Sequence, residues 1–497
     1  MANEPTPTQQ QLQPQQQPQQ QPQQQPQQQP QQLKHTDMDK GGGSKPGQED
    51  WARCMFWVKN KHRYCKGQRL PETSFCGTHK PSDDRIPCPL DPSHTVRSSD
   101  LEKHLKICNE TKKKDITESD PFYLKGCNSG NRDAQPEQPQ PQQLTQQQAI
   151  TFAILVMKLY KTQLSSTVSK HHLYESEESI GLSKAIEKFS IPSGGEKHIH
   201  QQGGIVGNLR RVGLMDEKPT TVLELGAGRG ILGLIVGGVL SRLRNSRNDT
   251  KKRKLSGASD ADNKTNLIMV DYCSVRRKAD TVAREDNDNN DKDDEYLNLS
   301  NVNTLRIKCD LLHVNLPKVV AHPPKVLFIA KHLCGAGTDI ACRGVASVAS
   351  MDRSRVKGAA FATCCFGVCS FSEYVGHAHL SQLFENKYGR GEFELLRRWG
   401  AMASGSSDSS GKKDSAHAHE TAPPTESTEE FDQANNTGIS AITEALEISK
   451  EELVAACKTI INFGRAMWLS SKTGLKTEIC SYCEDEVTPQ NMLILLH

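Results

Sequence analysis

The chain is 497 residues long, and its contents of hydrophobic (35%) and aromatic (5%) residues are low for a chain that folds throughout. It contains no run of about 18 apolar residues and no basic-plus-apolar signal at its start, which excludes a membrane-spanning helix and argues against secretion. The 16 cysteines are therefore expected as metal ligands or buried thiols in a reducing compartment. Net charge is only +3, but residues 51–115 carry 14 Lys and Arg against 8 Asp and Glu, which favours a polyanionic partner.

Gln and Pro dominate two segments of the N-terminal region. Residues 1–50 are Gln/Pro-rich and then Gly-rich, and a second Gln/Pro segment lies at 135–148. Such compositions cannot bury enough apolar surface to fold. The sequence therefore predicts a disordered tail over residues 1–50.

Two clusters of Cys and His follow the tail. Within residues 51–81 the pattern is C-x10-C-x10-C-x2-H, and within 85–112 it is C-x5-H-x9-H-x3-C. Each supplies four ligands, enough for closed tetrahedral zinc, so we predict two structural zinc ions in a CCCH-type and a CHHC-type finger. The alternative is buried thiols and scattered histidines. The predicted ligands are Cys54, Cys65, Cys76 and His79 in the first finger, and Cys88, His94, His104 and Cys108 in the second.

The first finger also interleaves basic and aromatic residues. Lysines and arginines at 59, 61, 63, 66 and 69 surround Phe56, Trp57 and Tyr64. This combination suits contact with an RNA backbone and stacking on its bases. A solvated basic surface over a small aromatic core is the alternative.

Residues 113–195 are predicted to be a linker and helical region. Apolar residues recur there at helical spacing, at Ile150, Phe152, Leu155, Val156, Leu159 and Tyr160. The pattern predicts mostly helical structure over residues 149–218.

Residues 196–497 are predicted to form one α/β domain. Five apolar segments are candidate strands, at 221–225, 266–271, 305–309, 326–330 and 358–363. Each ends in polar or glycine-rich residues, which predicts a parallel sheet that binds ligands at the carboxyl ends of its strands. A helix capped by Ser449 and Glu452 is expected to reach about Trp468, followed by a hairpin of 476–483 and 491–496. These seven strands outline a Rossmann-like fold.

Three polar inserts interrupt this domain, near 245–264, 285–295 and 400–436. Their compositions predict surface loops or disordered linkers. The first contains Lys251-Lys252-Arg253-Lys254, which is either a nuclear-import signal or a solvated charge run.

The stretch 220–233, TTVLELGAGRGILG, carries the strongest signal for chemistry. It predicts a buried strand, a glycine turn and a helix start, and the glycines let the backbone approach a ligand closely. The residues fit both the dinucleotide pattern G-x-G-x-x-G and the S-adenosylmethionine pattern E-x-G-x-G-x-G. The acid lies two residues before the first glycine, and the glycines lie directly at the strand end. Both features favour S-adenosylmethionine, the methyl donor, over a dinucleotide or a glycine turn without a ligand. The residues of that pattern are Glu224, Gly226, Gly228 and Gly230.

Taken together, these motifs resemble the eukaryotic tRNA 2′-O-methyltransferases that modify the ribose at position 4 of the acceptor stem. The two fingers, Lys-His-Leu-Cys-Gly at 331–335 and the glycine loop carry the resemblance, with further segments at 121–128, 197–209, 338–339, 364–365, 464–465 and 491–495. It implies a Rossmann-like, seven-stranded methyltransferase core, S-adenosylmethionine and zinc as cofactors, and tRNA as partner. No membrane and no obligate protein partner are expected.

The resemblance also implies roles for individual residues. Asp271, at the end of the second strand, is expected to accept hydrogen bonds from the two ribose hydroxyls of the cofactor, or else to be an exposed acid at the strand end. Asp310, after the third strand, is expected near the adenine, or else as a turn former. Lys331 and His332 are the candidate catalytic residues, which accept the proton of the substrate hydroxyl or bind the adjacent phosphate. A loop-capping Lys-His pair is the alternative.

One segment departs from the family. After Cys364-Cys365 the family usually has histidines or basic residues, whereas this chain has Phe366-Gly367-Val368-Cys369. Cys334, Cys364, Cys365 and Cys369 are expected to be packed thiols, with a metal or covalent site as the alternative.

A second class of function stays open at the sequence level. The chain could be a non-catalytic zinc-finger adaptor for RNA binding or splicing, with a degenerate methyltransferase core. A methyltransferase acting on protein or small molecules keeps the fold but makes poor use of the basic fingers. The expected location is the nucleus, the cytoplasm or both.

Overall fold

The computed structural model of the protein describes residues 53–58, 63–71, 73–76, 79, 85–108, 111, 118–130, 144–173, 195–216, 218–251, 264–272, 299, 301–321, 325–402 and 440–497. These belong to two compact units, residues 1–105 and 106–497. The predicted tail at 1–50, the insert at 285–295 and most of the insert at 400–436 lie outside the described residues. Among the helices of the described part, none is long and apolar enough to cross a membrane.

The N-terminal unit has short elements and little apolar core. Strands β1 (Trp57–Val58) and β2 (Arg63–Tyr64) pair antiparallel, as do β3 (Arg85–Cys88) and β4 (Asp91–Arg97), and helix α1 (Leu101–Ile107) follows. Between residues 53 and 108, the buried apolar side chains that the structure describes are four cysteines and Val96. Burial of so few apolar side chains cannot stabilise a fold by itself. Modules with such a small core typically need a bound metal to fold.

A mixed, mostly parallel sheet of eight strands forms the centre of the larger unit. Its order is β5-β11-β12-β10-β9-β6-β7-β8. The last five strands in this order are mutually parallel, β12 is antiparallel to both of its neighbours, and β5 is parallel to β11. The strands are β5 (Val168–Lys170), β6 (Thr220–Leu225), β7 (Thr265–Asp271), β8 (Val302–Lys308), β9 (Lys325–Cys334), β10 (Val356–Cys364), β11 (Thr477–Ser481) and β12 (Met492–Leu496).

Helices cover both faces of this sheet. Successive strand residues belong to different cores: Val222 packs with α3 and α4, whereas Leu223 packs with α6 and α9. Central parallel strands are apolar on both faces for this reason. The helices of the larger unit are α2 (Gln146–Leu159), α3 (Gly195–Arg211), α4 (Ile231–Lys251), α5 (Leu316–Val319), α6 (Ala336–Met351), α7 (His377–Leu383), α8 (Arg390–Gly400) and α9 (Lys450–Thr473).

The region predicted to be a linker and helical region, 113–195, belongs in its described parts to the larger unit. Helix α2 begins at a capping box of Thr145 and Gln148 and buries Phe152 and Val156 in a third core with Trp399 of α8. Strand β5, which the sequence analysis missed, adds a parallel edge to the sheet. The segment 118–130 is also attached to the larger unit, because the side chain of Asn128 donates hydrogen bonds to the carbonyls of Leu311 and Val314 at 2.7 and 2.9 Å.

Two predicted boundaries were wrong. The insert expected near residue 245 begins later, because α4 continues to Lys251. Extending an existing helix by a turn costs little, and residues 245–251 contain no Gly or Pro. Helix α9 starts at the predicted cap, where Ser449 accepts from the Glu452 amide at 3.1 Å. It passes Trp468 and ends at Thr473, where Gly474 adopts the left-handed conformation (φ 69°) that commonly ends helices.

Candidate functional site

The glycine loop joins the buried end of β6 to the first turn of α4. Gly226, Gly228 and Gly230 all have positive φ, at 66°, 50° and 80°. A Cβ on Gly226 would lie 2.5 Å from Leu333, and one on Gly230 would lie 2.5 Å from Met269, whereas a Cβ on Gly228 would meet nothing within 4 Å. The loop is therefore packed on its inner side and open at Gly228, where a ligand can approach the backbone.

Two side chains from neighbouring strands hold this loop in place. The Gly228 amide donates to Asp271 Oδ2 at 2.6 Å, from the end of β7. Arg306 of β8 donates from Nη1 to the Gly228 carbonyl at 2.8 Å and from Nη2 to the Arg229 carbonyl at 3.0 Å. Protein groups thus hold the loop in its conformation, which reduces the ordering that binding of a ligand would require.

Glu224 lies beneath the loop and is buried. Its Oε2 accepts a hydrogen bond from the Gly233 amide at 3.0 Å. Burial raises its pKa from 4.5 to about 8, against the opposing effects of the Gly233 amide and of Arg306. At neutral pH this carboxyl group is therefore mostly protonated.

Asp310 lies after β8, at the same edge of the sheet. It is exposed, and its Oδ1 accepts from the Leu312 amide at 2.9 Å, so it caps a short 3-10 turn. The segment 118–130 contacts the same turn, because the Gly126 amide donates a hydrogen bond to His313 Nδ1 at 2.9 Å. The turn-forming role proposed for Asp310 is what the structure shows in this state.

Lys331 lies near the carboxyl end of β9, the strand next to β6. Burial lowers the pKa of its ammonium group to about 8, while Cys483 and Glu224 act in the opposite direction. Its Nζ lies 3.3 Å from Nδ1 of His198 on α3. A lysine with this pKa is partly neutral near physiological pH and is able to accept a proton.

His332 sits at an irregularity of the strand. In the pairing of β9 with β10, Lys331 faces Ala362 and Leu333 faces Thr363, so His332 is an extra residue opposite no partner. Bulges of this kind re-aim side chains and occur next to active sites. The side chain of His332 lies outside the described residues.

The ligands predicted for the first finger converge. One ligand atom from each of Cys54, Cys65, Cys76 and His79 lies within 4.8 Å of the other three. His79 Nδ1 is 3.5 Å from Cys54 Sγ and 3.4 Å from Cys76 Sγ, and the sulfurs of Cys65 and Cys76 are 4.0 Å apart. Metal–ligand bonds of about 2.3 Å to sulfur and about 2.0 Å to nitrogen place tetrahedral ligands roughly 3.5–3.8 Å apart. The donor set and its spacing fit a closed zinc site.

The second finger brings three of its predicted ligands together. Cys88, His104 and Cys108 have ligand atoms within 4.8 Å of one another, and His104 Nε2 lies 3.3 Å from Cys88 Sγ. The side chain of His94 lies outside the described residues, although its backbone belongs to β4. The three described ligands also fit zinc.

Several contributors to the site were missed by sequence reasoning. Arg306 and His198 contact the loop and Lys331 respectively, yet neither was assigned a role. Arg306 follows Leu305 and precedes the buried Ile307, and a basic residue within a strand was the available signal. For His198 the signal was weaker, because only the three-dimensional structure brings α3 to β9.

Comparison with known proteins places this geometry in a family. The family model "Methyltransferase TRM13" matches residues 200–497. A "CCCH zinc finger in TRM13 protein" matches 52–80 and a "U11-48K-like CHHC zinc finger" matches 85–109, which confirms the two predicted finger types. No solved structure matches the chain.

Curated relatives match over nearly their whole length. The protein of the yeast Vanderwaltozyma polyspora is 27% identical over 464 residues, 90% of this chain and 97% of its own. The Saccharomyces cerevisiae protein is 23% identical, over 91% of this chain and 97% of its own, and both are named "tRNA:m(4)X modification enzyme TRM13". The Homo sapiens homologue is 26% identical, over 90% of this chain and 95% of its own. Because the family model spans residues 200–497, the chain belongs to the methyltransferase TRM13 family.

Proposed function

We propose that this protein is an S-adenosylmethionine-dependent tRNA methyltransferase that methylates the ribose 2′-hydroxyl of nucleotide 4 in the acceptor stem. Family membership and the names of the relatives, which modify tRNA, support the enzyme class and substrate. The strand order β8-β7-β6-β9-β10-β12-β11 with β12 reversed supports a seven-stranded, Rossmann-like core, to which β5 is an added edge.

One observation carries the proposal: the glycine loop and Lys331, the proposed proton acceptor, lie at the same edge of the sheet. The loop after β6 is fixed by Asp271 of β7, and Lys331 lies near the end of the adjacent strand β9. In parallel α/β sheets this edge is where ligands bind. A cofactor in the loop and a substrate near Lys331 would therefore be neighbours.

The chain offers a fitting cradle for the methyl donor. S-adenosylmethionine supplies an electrophilic methyl group when bound. Gly228 would admit it to the backbone, since a Cβ there meets nothing within 4 Å, while Gly226 and Gly230 let the loop pack against Leu333 and Met269. Asp271 would accept its ribose hydroxyls, Asp310 would lie towards the adenine, and the buried Glu224 would hold the loop through Gly233.

Lys331 is proposed as the group that takes the proton of the ribose hydroxyl. Its pKa of about 8 makes the neutral amine accessible near neutral pH. Such a base contributes roughly 10²–10⁴-fold to a rate, and alignment of the hydroxyl contributes the rest. His332, one residue along the bulged strand, is proposed as a second group facing the substrate.

The two fingers are proposed to bind zinc structurally and to contact the tRNA. Phe56 and Tyr64 are 42% and 45% exposed. One face of the Phe56 ring stacks on His79, with ring centroids 4.0 Å apart, so a base would stack on its other face. Lys59 and Lys61, which belong to the same predicted surface, lie outside the described residues. Since tRNA is present in both compartments, the proposed location is the nucleus, the cytoplasm or both.

A calorimetric titration with S-adenosylmethionine, paired with methyl transfer to unmodified tRNA, tests this function. The full-length zinc-loaded protein is expected to bind the cofactor and to transfer label. Asp271→Ala should weaken cofactor binding at least tenfold, whereas Glu444→Ala, at an exposed position, should not. A wild-type protein that binds tRNA but neither binds the cofactor nor transfers methyl would be an adaptor, and the proposal would fail.

A further inference from the structure

Three cysteines meet at the carboxyl ends of β9 and β10. Cys334 is the last residue of β9, Cys364 is the last of β10, and these two residues face each other in the parallel register. Their sulfurs are 3.9 Å apart. The Sγ atoms of Cys334, Cys364 and Cys365 all lie within 4.8 Å of one another. The spacing approaches that of the ligands in the first finger.

The backbone makes this convergence possible through an uncommon conformation. Consecutive residues of an extended strand point to opposite faces, so adjacent cysteines do not ordinarily direct both sulfurs to one point. Cys365 leaves the extended run in the left-handed conformation (φ 51°, ψ 49°), directly before the 3-10 turn Phe366–Val368. A non-glycine residue is strained in this conformation and is held there by its surroundings.

The loop after β9 has a backbone conformation that allows it to lie close to the loop after β10. Gly335 also has positive φ, at 49°, and a Cβ there would collide with the backbone of Val368. Its amide donates to the Cys364 carbonyl at 3.4 Å. The two loops thus approach closely at the three sulfurs.

The exposure of these cysteines distinguishes them from thiols that only pack in the hydrophobic core. Cys342 and Cys457 are buried in helices α6 and α9, as packed thiols usually are, whereas Cys334 and Cys365 are exposed and Cys364 is buried. The fourth thiol considered for this cluster, Cys369, does not join it, since Arg465 Nη2 donates to its sulfur at 3.3 Å. The cluster therefore consists of two exposed thiols and one buried thiol, and it reaches the solvent through Cys334 and Cys365.

We propose that Cys334, Cys364 and Cys365 bind a third Zn²⁺ ion, separate from those of the fingers. Three thiolates are soft ligands of the kind that zinc takes in proteins. No fourth His, Cys, Asp or Glu from the described residues joins the three, so water completes the coordination on the exposed side. The ion holds the loop after β9, which begins at Gly335, four residues beyond Lys331, to the loop after β10.

Metal analysis of the full-length protein, expressed with zinc and desalted, tests the site. Elemental analysis should give about three zinc ions per chain. The double variant Cys334→Ser/Cys365→Ser, which leaves the buried Cys364 in place, should contain about two. The control Cys127→Ser, at a partly exposed thiol outside the three clusters, should keep three.

Alkylation by iodoacetamide, mapped by peptide mass spectrometry, gives a second readout that needs no variant. In the zinc-loaded protein, labelling of Cys334 and Cys365 should be at least tenfold slower than after chelation, although both residues are exposed. Two zinc ions in the wild type, or rapid labelling before chelation, would overturn the proposal. A Cys334–Cys364 disulfide in the protein as isolated would also overturn it.

Discussion

Arg465 of α9 forms a fully buried, two-point ion pair with Asp339 of α6. Its Nη2 donates to Asp339 Oδ2 at 2.7 Å and its Nε donates to Oδ1 at 3.1 Å. Nη2 also donates to the Gly335 carbonyl at 3.1 Å. One guanidinium therefore fixes two helices and the loop that follows Lys331, with Cys369 as a further contact.

Arg465→Met should destabilise the protein by about 3–5 kcal/mol, because it leaves the Asp339 carboxylate buried without its partner. The free energy of unfolding in urea measures this. Lys161→Ala is the matched control, since Lys161 pairs with Glu452 at 3.1 Å with both side chains largely exposed; it should change stability by less than about 1 kcal/mol. Equal losses in the two variants would show that the buried pair has no special role.

Arg306→Met should weaken binding of S-adenosylmethionine. The variant loses both hydrogen bonds to the loop carbonyls of Gly228 and Arg229, and bonds from a charged donor contribute about 1.5–3 kcal/mol each. We expect a Kd raised about 10- to 100-fold in calorimetry. Lys308→Ala, at an exposed position of the same strand, should leave Kd unchanged. An unaltered Kd in Arg306→Met would mean that the loop holds its shape without the guanidinium.

Lys331 should give the reaction a rising pH dependence. The neutral amine is the base and its pKa is about 8, so kcat should increase from pH 7, reach about half of its maximum near pH 8 and level off only at higher pH. Lys331→Arg stays charged and should lose about 10²–10⁴-fold in kcat while cofactor affinity is retained. The control Lys325→Arg, at the exposed start of the same strand, should keep rate and profile. A rate that falls as pH rises through 8 would make Lys331 a phosphate-binding cation instead.

Ionisation of the buried Glu224 carboxyl group should reduce the free energy of unfolding as pH rises. Its pKa is about 8 in the folded protein against 4.5 ordinarily, so between these values the folded state binds the extra proton and raising the pH disfavours folding. Glu224→Gln keeps an oxygen for the Gly233 amide and should remove this contribution. Melting temperatures from pH 5 to 9 should decline less in Glu224→Gln than in the wild type. The exposed Glu444→Gln should follow the wild type, and parallel curves for all three proteins would refute the assignment.

The sequence predicted best the parts that local pattern determines. Strands β6 and β9 are long apolar runs that end in polar or glycine-rich residues, so both were found, and the glycine loop is contiguous in the chain. Strand β5 has only three residues, Val168, Ser169 and Lys170, and exists by pairing with β11 some three hundred residues later. No local periodicity reports such a contact.

The same distinction holds for the candidate site. Asp271 was found because it ends an apolar strand, but the hydrogen bonds of Arg306 and the burial of Arg465 depend on contacts between distant segments. The lowered pKa of Lys331 likewise comes from surroundings that only the folded chain provides. Contacts between distant segments, and the pKa shifts that burial causes, are therefore what sequence reasoning could not supply.

Mapping of the methylated nucleotide tests the central claim most directly. The full-length protein would be incubated with labelled S-adenosylmethionine and unmodified tRNA, and the labelled position identified by nuclease digestion and mass spectrometry. The account predicts label on the ribose 2′-oxygen of nucleotide 4 in the acceptor stem. Label on a base or at another position, or none from a protein that binds the cofactor, would contradict it.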